Sequence, residues 1–226
     1  VDNKQMTEIA KLAFSNASPL YFSFLSILLS ILTLVVSQVL AQLLGSILVL
    51  LKIPSFIANI VAGISYVALT YLFLKLLCKK YLKADMREYK IPGIKIELKW
   101  GIIAFLLPLL VTAFYLLFVP GSFRQNPLNM NAKLDLISAG IFFSGLGAGI
   151  VEEMVFRGIM MSAIEKRFNR KVAIIVPSVL FGLVHILGMG FSLLSCVLVL
   201  VAGTMVGIMF SLIASETGSI WNSAIV

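Results

Sequence analysis

With 226 residues, 60% of them hydrophobic and 12% charged, and a mean hydropathy of +1.06, the chain is too apolar to be read as a soluble enzyme. The net charge of +8 does not point to nucleic acid. The basic residues bunch between apolar runs with no recognition motif, which is how charged loops flank membrane spans. Cys78 and Cys196 lie in or at the end of apolar segments, in neither a metal-ligand nor a disulfide spacing, and read as packing residues.

In chain order, Val1 to Ser18 is mixed and polar and could form a short interfacial helix before Pro19. Leu20 to Leu51 is long enough for one tilted or over-length span, since about 20 residues cross the hydrocarbon core. It has no small-residue cleavage pattern and is expected to stay in the membrane. A turn at Lys52 and Pro54 leads to a second span, Phe56 to Leu77. Lys79 to Lys99 is the most charged part of the chain and reads as a loop. A third span runs from Trp100 to Val119 with Pro108 as a kink, then a polar loop from Pro120 to Lys133. The fourth span is Leu134 to about Ile164, the fifth Val172 to about Leu187, and the sixth Phe191 to Ala214. Gly188-Met189-Gly190 turns the chain between the last two. Gly203 and Gly207 in the sixth have a small-xxx-small spacing that lets helices approach closely. Ser219 to Val226 looks like the start of another span.

The expected fold is therefore all-α: one integral membrane domain over residues 1–226, a polytopic bundle of six full transmembrane helices plus the start of a seventh. An internal amino terminus puts the Lys79–Lys99 loop, the Glu165–Lys171 connector and the Glu216 turn on the cytoplasmic side. With Lys4, Lys11 and Lys75, that places 14 of the 18 basic residues inside. Lys52, Arg124 and Lys133 are left outside and Arg157 within a span.

Three charges interrupt the fourth span: Glu152, Glu153 and Arg157. Ionisable groups at such depth cost roughly 2.5–3.5 kcal/mol each on insertion scales, so they are expected to face a protein interior or water and to be functional. At about 100° per residue, Glu153 and Arg157 share a helix face and can pair, while Glu152 points away. One carboxylate is then tied to the arginine and the other left free for chemistry. An inert buried ion triad holding helices in register has the same pattern.

His185 is the only histidine, and Phe181 lies one turn before it on its face. Glu152 stands 14 residues before Lys166 and His185 stands 14 residues after Lys171. At 1.5 Å per residue, both sit roughly 20 Å from the same basic connector and can meet. A carboxylate and an imidazole in a dry cavity could deprotonate a water directly, or through a shared metal ion. Two ligands are too few for a structural zinc site.

Glu152-Glu153-x-x-x-Arg157 followed by Phe181-x-x-x-His185 resembles the first two motifs of the CPBP intramembrane proteases, the family of CAAX prenyl endopeptidases and of bacteriocin-processing or immunity (Abi) proteins. Similarity covers about Leu134 to Val226, a protease core. The resemblance implies an endopeptidase in which Glu152 activates water together with His185, while Glu153 and Arg157 shape the site electrostatically and Phe181 contacts substrate. It also implies, if a metal is used, a divalent ion such as zinc held by Glu152 and His185; the family's metal dependence is disputed. The family's last motif, a histidine followed four residues later by Asn or Asp, would fall just beyond Val226. The core is therefore expected to be truncated at its carboxyl end.

The expected partners are the lipid bilayer and a peptide or membrane-protein substrate cleaved near the cytoplasmic face. Ile, Lys and Asn usage suits a low-GC bacterium, where peptide maturation, self-immunity or signalling would be the context. The main alternative is a non-catalytic scaffold or bacteriocin-immunity protein of the same fold that binds a membrane-protein partner. A third, a proton-coupled transporter, lacks the repeated halves and paired broken helices that would support it.

Overall fold

The computed structural model describes residues 19–122, 127–187 and 192–226. The interfacial helix expected over residues 1–18, the turn at 188–190 and part of the polar loop around Arg124 lie outside them. Among the described residues there is no strand, and the chain is an all-α polytopic bundle.

Among the described residues, five helices are long and apolar enough to cross a membrane. The first, α1, is Pro19–Leu50. Its 32 residues would extend about 48 Å against a hydrocarbon core of about 30 Å, so it must tilt or project. α2 is Ser55–Leu77 and runs on as a π-helical turn, Cys78–Leu82. α3 is Leu98–Phe118, with Pro108 inside it and no buried residue. α4, Met130–Glu165, alternates α-helical and π-helical segments. The later π segment, Glu153–Met160, is wholly buried and carries two of the three charges. α6 is Leu193–Thr217 and α7 the short Ile220–Ile225.

The expected fifth span differs in kind. α5, Arg170–Ile186, has 17 residues and is not among the five. Its length is not set by lipid alone, because Ala173, Ile174, Pro177, Ser178, Phe181 and Gly182 are buried within the bundle. α5 and α6 approach at backbone distance. A Cβ on Gly182 would lie 2.7 Å from the Leu200 carbonyl oxygen, and one on Gly203 would lie 2.8 Å from the Gly182 Cα. Without side chains there, dispersion contacts between backbones hold the pair where lipid supplies no hydrophobic drive. Gly63 does the same between α2 and α4, where a Cβ would meet the Phe142 carbonyl oxygen at 2.2 Å.

The three segments expected on one side of the membrane gather at one end of the bundle. Lys90 pairs with Glu165, Lys166 with Glu88 at 3.0 Å, and Arg170 with Glu216. The Lys79–Lys99 stretch is less a free loop than a stopper. Met86, Tyr89 and Ile91 are buried, Lys166 lies 4.1 Å from the Tyr89 ring centroid, and Asp85 and Glu88 form a capping box around a short 3₁₀ turn, Met86–Tyr89. The stopper is tied to α7 by Ile220 N–H donating to the Lys90 carbonyl (2.9 Å), Trp221 Nε1–H to the Pro92 carbonyl (2.8 Å) and Glu97 N–H to Asn222 Oδ1 (2.9 Å).

Glu88 carries a pH prediction. The Asp85 backbone N–H, and then Lys166, hold its carboxyl below the usual range. A carboxylate depressed in the fold adds stability above its unfolded pKa and loses it as pH falls through the folded value. Acidification below roughly pH 4 is expected to lower hydrogen-exchange protection of Met86–Tyr89 before that of the helix core. Simultaneous loss would show that the capping box does not hold this turn.

Candidate active site

α4 supplies the carboxylates. Arg157 Nη1 stands 2.7 Å from Glu153 Oε1, with both side chains almost fully buried. The pair expected from spacing is thus made, but on a π-helical segment, a winding that recurs at functional sites. Arg157 also reaches α6, its Nη2 donating to the Gly207 carbonyl at 3.3 Å. Its guanidinium lies 4.5 Å from the Phe181 ring centroid, 5.3 Å from Phe210 and 5.9 Å from Phe156. Arg157 Nε and Glu153 Oε2 have no hydrogen-bond partner among the described residues. The aromatic faces compensate part of the guanidinium's lost hydration through their quadrupoles.

Glu152 is only half-buried, in contrast to Glu153. It lies within electrostatic reach of His185 and Arg157. His185 is exposed, and its Nδ1 sits 2.7 Å from the Phe181 carbonyl oxygen. A carbonyl can only accept, so Nδ1 carries the proton and Nε2 of the neutral ring keeps its lone pair. Phe181 is buried, edge-on to Phe156 at 5.3 Å and tilted against His185 at 4.4 Å. Between arginine and histidine, its ring offers little surface to a substrate.

Tyr66, on α2, was not singled out from sequence. It is buried, stacked on Phe143 at 5.7 Å, and within electrostatic reach of Glu152. A tyrosine in an apolar span carries no spacing signal to separate it from Tyr71. Ser223, on α7, adjoins Glu153 while its hydroxyl donates to the Ile220 carbonyl at 3.0 Å.

A metal is poorly served by these groups. Glu152 and His185 offer one oxygen and one nitrogen, and no three His, Cys, Asp or Glu side chains converge among the described residues. Catalytic zinc takes three protein ligands and a water, so the described donors fall one short.

Residues 134–226 match a family model described as Rce1-like, type II CAAX prenyl endopeptidase. All five motif residues lie in the matched segment, whereas Tyr66 does not. No curated protein and no solved structure matches the chain.

Proposed function

We propose, from the match of residues 134–226 to the Rce1-like model of CAAX-type intramembrane proteases, that this chain hydrolyses a peptide bond near the cytoplasmic side by water that Glu152 and His185 activate. The observation that carries the reading is the unequal treatment of two adjacent carboxylates: Glu153 is buried against Arg157, while Glu152 is half-open beside His185.

Glu153 cannot serve as base without stripping Arg157 of its counter-charge. Glu152 can take a proton from water, whose oxygen adds to the scissile carbonyl carbon, and can return that proton to the departing amine as the C–N bond breaks. His185, with Nδ1–H held by Phe181, presents Nε2 as the acceptor for the other water hydrogen. Arg157 adds a fixed positive field near the developing oxyanion, and its effect is large in a water-poor site. Phe181 is a positioning residue, since it touches arginine and histidine. No step is routed through a metal.

Charge asymmetry supports the cytoplasmic assignment, because the basic stopper and connector share the end to which Glu165 and Glu216 belong. The test is cleavage of a membrane-peptide library by the chain in liposomes. Products that vanish with Glu152→Gln and His185→Ala support the reading. A folded wild type that cleaves nothing overturns it in favour of a non-catalytic scaffold.

Tyr66→Phe keeps the ring on Phe143 and removes one hydroxyl. Because that hydroxyl lies within electrostatic reach of Glu152, its removal is expected to lower kcat with KM unchanged. An equal loss in Tm and no change in kcat would make the hydroxyl purely structural.

A further inference from the structure

Two cavities adjoin along α2. One, of about 530 Å³, has apolar walls from Gly63 and Val67 of α2, Phe142 and Leu146 of α4, and Trp221 of α7. The other, of about 730 Å³, is lined by Lys75, Lys79, Lys83 and Arg87, with Asp85 and Glu88. They share Tyr71, Pro92 and Gly93. Both volumes fall in the range of small-molecule sites. Gly63, Val67, Tyr71, Lys75 and Lys79 follow one another at four-residue steps. The stripe from Gly63 to Lys79 therefore winds round α2 over about 24 Å of rise, apolar at its first end and basic at its last.

The acids at the basic end are already engaged. Asp85 faces Arg87 at 4.0 Å and caps its N–H, and Glu88 is paired with Lys166. Lys75, Lys79 and Lys83 have no ion-pair partner among the described residues. The basic end lies where the ion-paired connectors gather, at the membrane–water boundary, and the apolar end points toward mid-membrane. Polarity therefore changes along the groove in the order found along a bilayer lipid.

We propose that this groove on α2 is a binding site for an anionic diacyl phospholipid, with acyl chain between Val67 and Phe142 and phosphate among Lys75, Lys79 and Lys83. A zwitterionic headgroup would bring an ammonium to three uncompensated lysines, whereas a headgroup of net negative charge does not. None of Glu152, Glu153, Arg157 or His185 lines either cavity, so the site stands independently of the proteolytic reading.

The experiment is native mass spectrometry of the full chain with phosphatidylglycerol and phosphatidylcholine of identical acyl chains, and with glycerol phosphate as a headgroup-only probe. One phosphatidylglycerol is expected to be retained in preference to phosphatidylcholine and to glycerol phosphate. The triple variant Lys75→Gln/Lys79→Gln/Lys83→Gln should lose that preference on the order of 100-fold, from about 1 kcal/mol per basic residue. These lysines are at the surface and their loss leaves the core intact. Ala68→Trp, at an exposed position on the apolar wall, should displace both lipids without changing the circular dichroism. Equal retention of the two lipids, an unchanged triple variant, or glycerol phosphate binding as well as the lipid overturns the proposal. So does a second copy of the chain or a peptide held in the lipid's place.

Discussion

Glu152→Gln is expected to lower kcat for peptide cleavage roughly 10²- to 10⁴-fold, the usual worth of a positioned general base, with KM nearly unchanged. The amide has almost the carboxylate's shape but cannot take a proton from water. Because Glu152 is half-buried and outside the Glu153–Arg157 pair, its neutralisation should leave the thermal unfolding midpoint in detergent close to wild type. Single-turnover kinetics on a cleaved library peptide separate the chemical step from binding. A variant that cleaves at the wild-type rate would place the base elsewhere. Loss of activity together with folding would make Glu152 structural.

The largest effect on stability belongs to Arg157, which is fully buried and joins α4 to α6. Arg157→Met leaves the Glu153 carboxylate in the bundle with no counter-charge, and removing one partner of a buried pair costs about 3–5 kcal/mol. The Glu153→Gln/Arg157→Met double variant removes both charges at once and should regain most of that loss. Unfolding midpoints of the wild type, two single variants and the double variant form a cycle that isolates the coupling. Additive single losses would mean that Arg157 acts through its packing on Phe181 and Phe210 alone, with no dependence on Glu153.

The buried ion pair was legible because it rests on short-range periodicity. Glu153 and Arg157 are four residues apart, and either ordinary or π-helical winding brings such residues together. Glu152 and His185 stand at equal residue distances from a common connector, which antiparallel helices of fixed rise preserve, and they lie within electrostatic reach of each other. The stopper was harder to see: Met86, Tyr89 and Ile91 are apolar residues scattered among seven basic ones in Lys79–Lys99, so charge density concealed a segment whose apolar side is buried. The fifth span has the expected bounds, but hydropathy counts apolar residues without asking whether lipid or protein covers them, and much of this helix is covered by protein.

The membrane class, the helical architecture and the stretch in which charges must be sheltered can all be read from the order of residues. Hydropathy and charge act on single residues and their near neighbours, and a bilayer demands that each spanning backbone satisfy its own hydrogen bonds. Which groups from distant helices meet is visible only once the helices are packed. Tyr66 from α2 beside Glu152, the Gly207 carbonyl from α6 on Arg157, and the stopper tied to α7 all join residues far apart in sequence. Those pairings depend on how closely the helices pack and on how each is rotated about its axis. In this bundle glycines at the α2–α4 and α5–α6 contacts set the approach. No periodicity along one helix encodes the rotation of its neighbour.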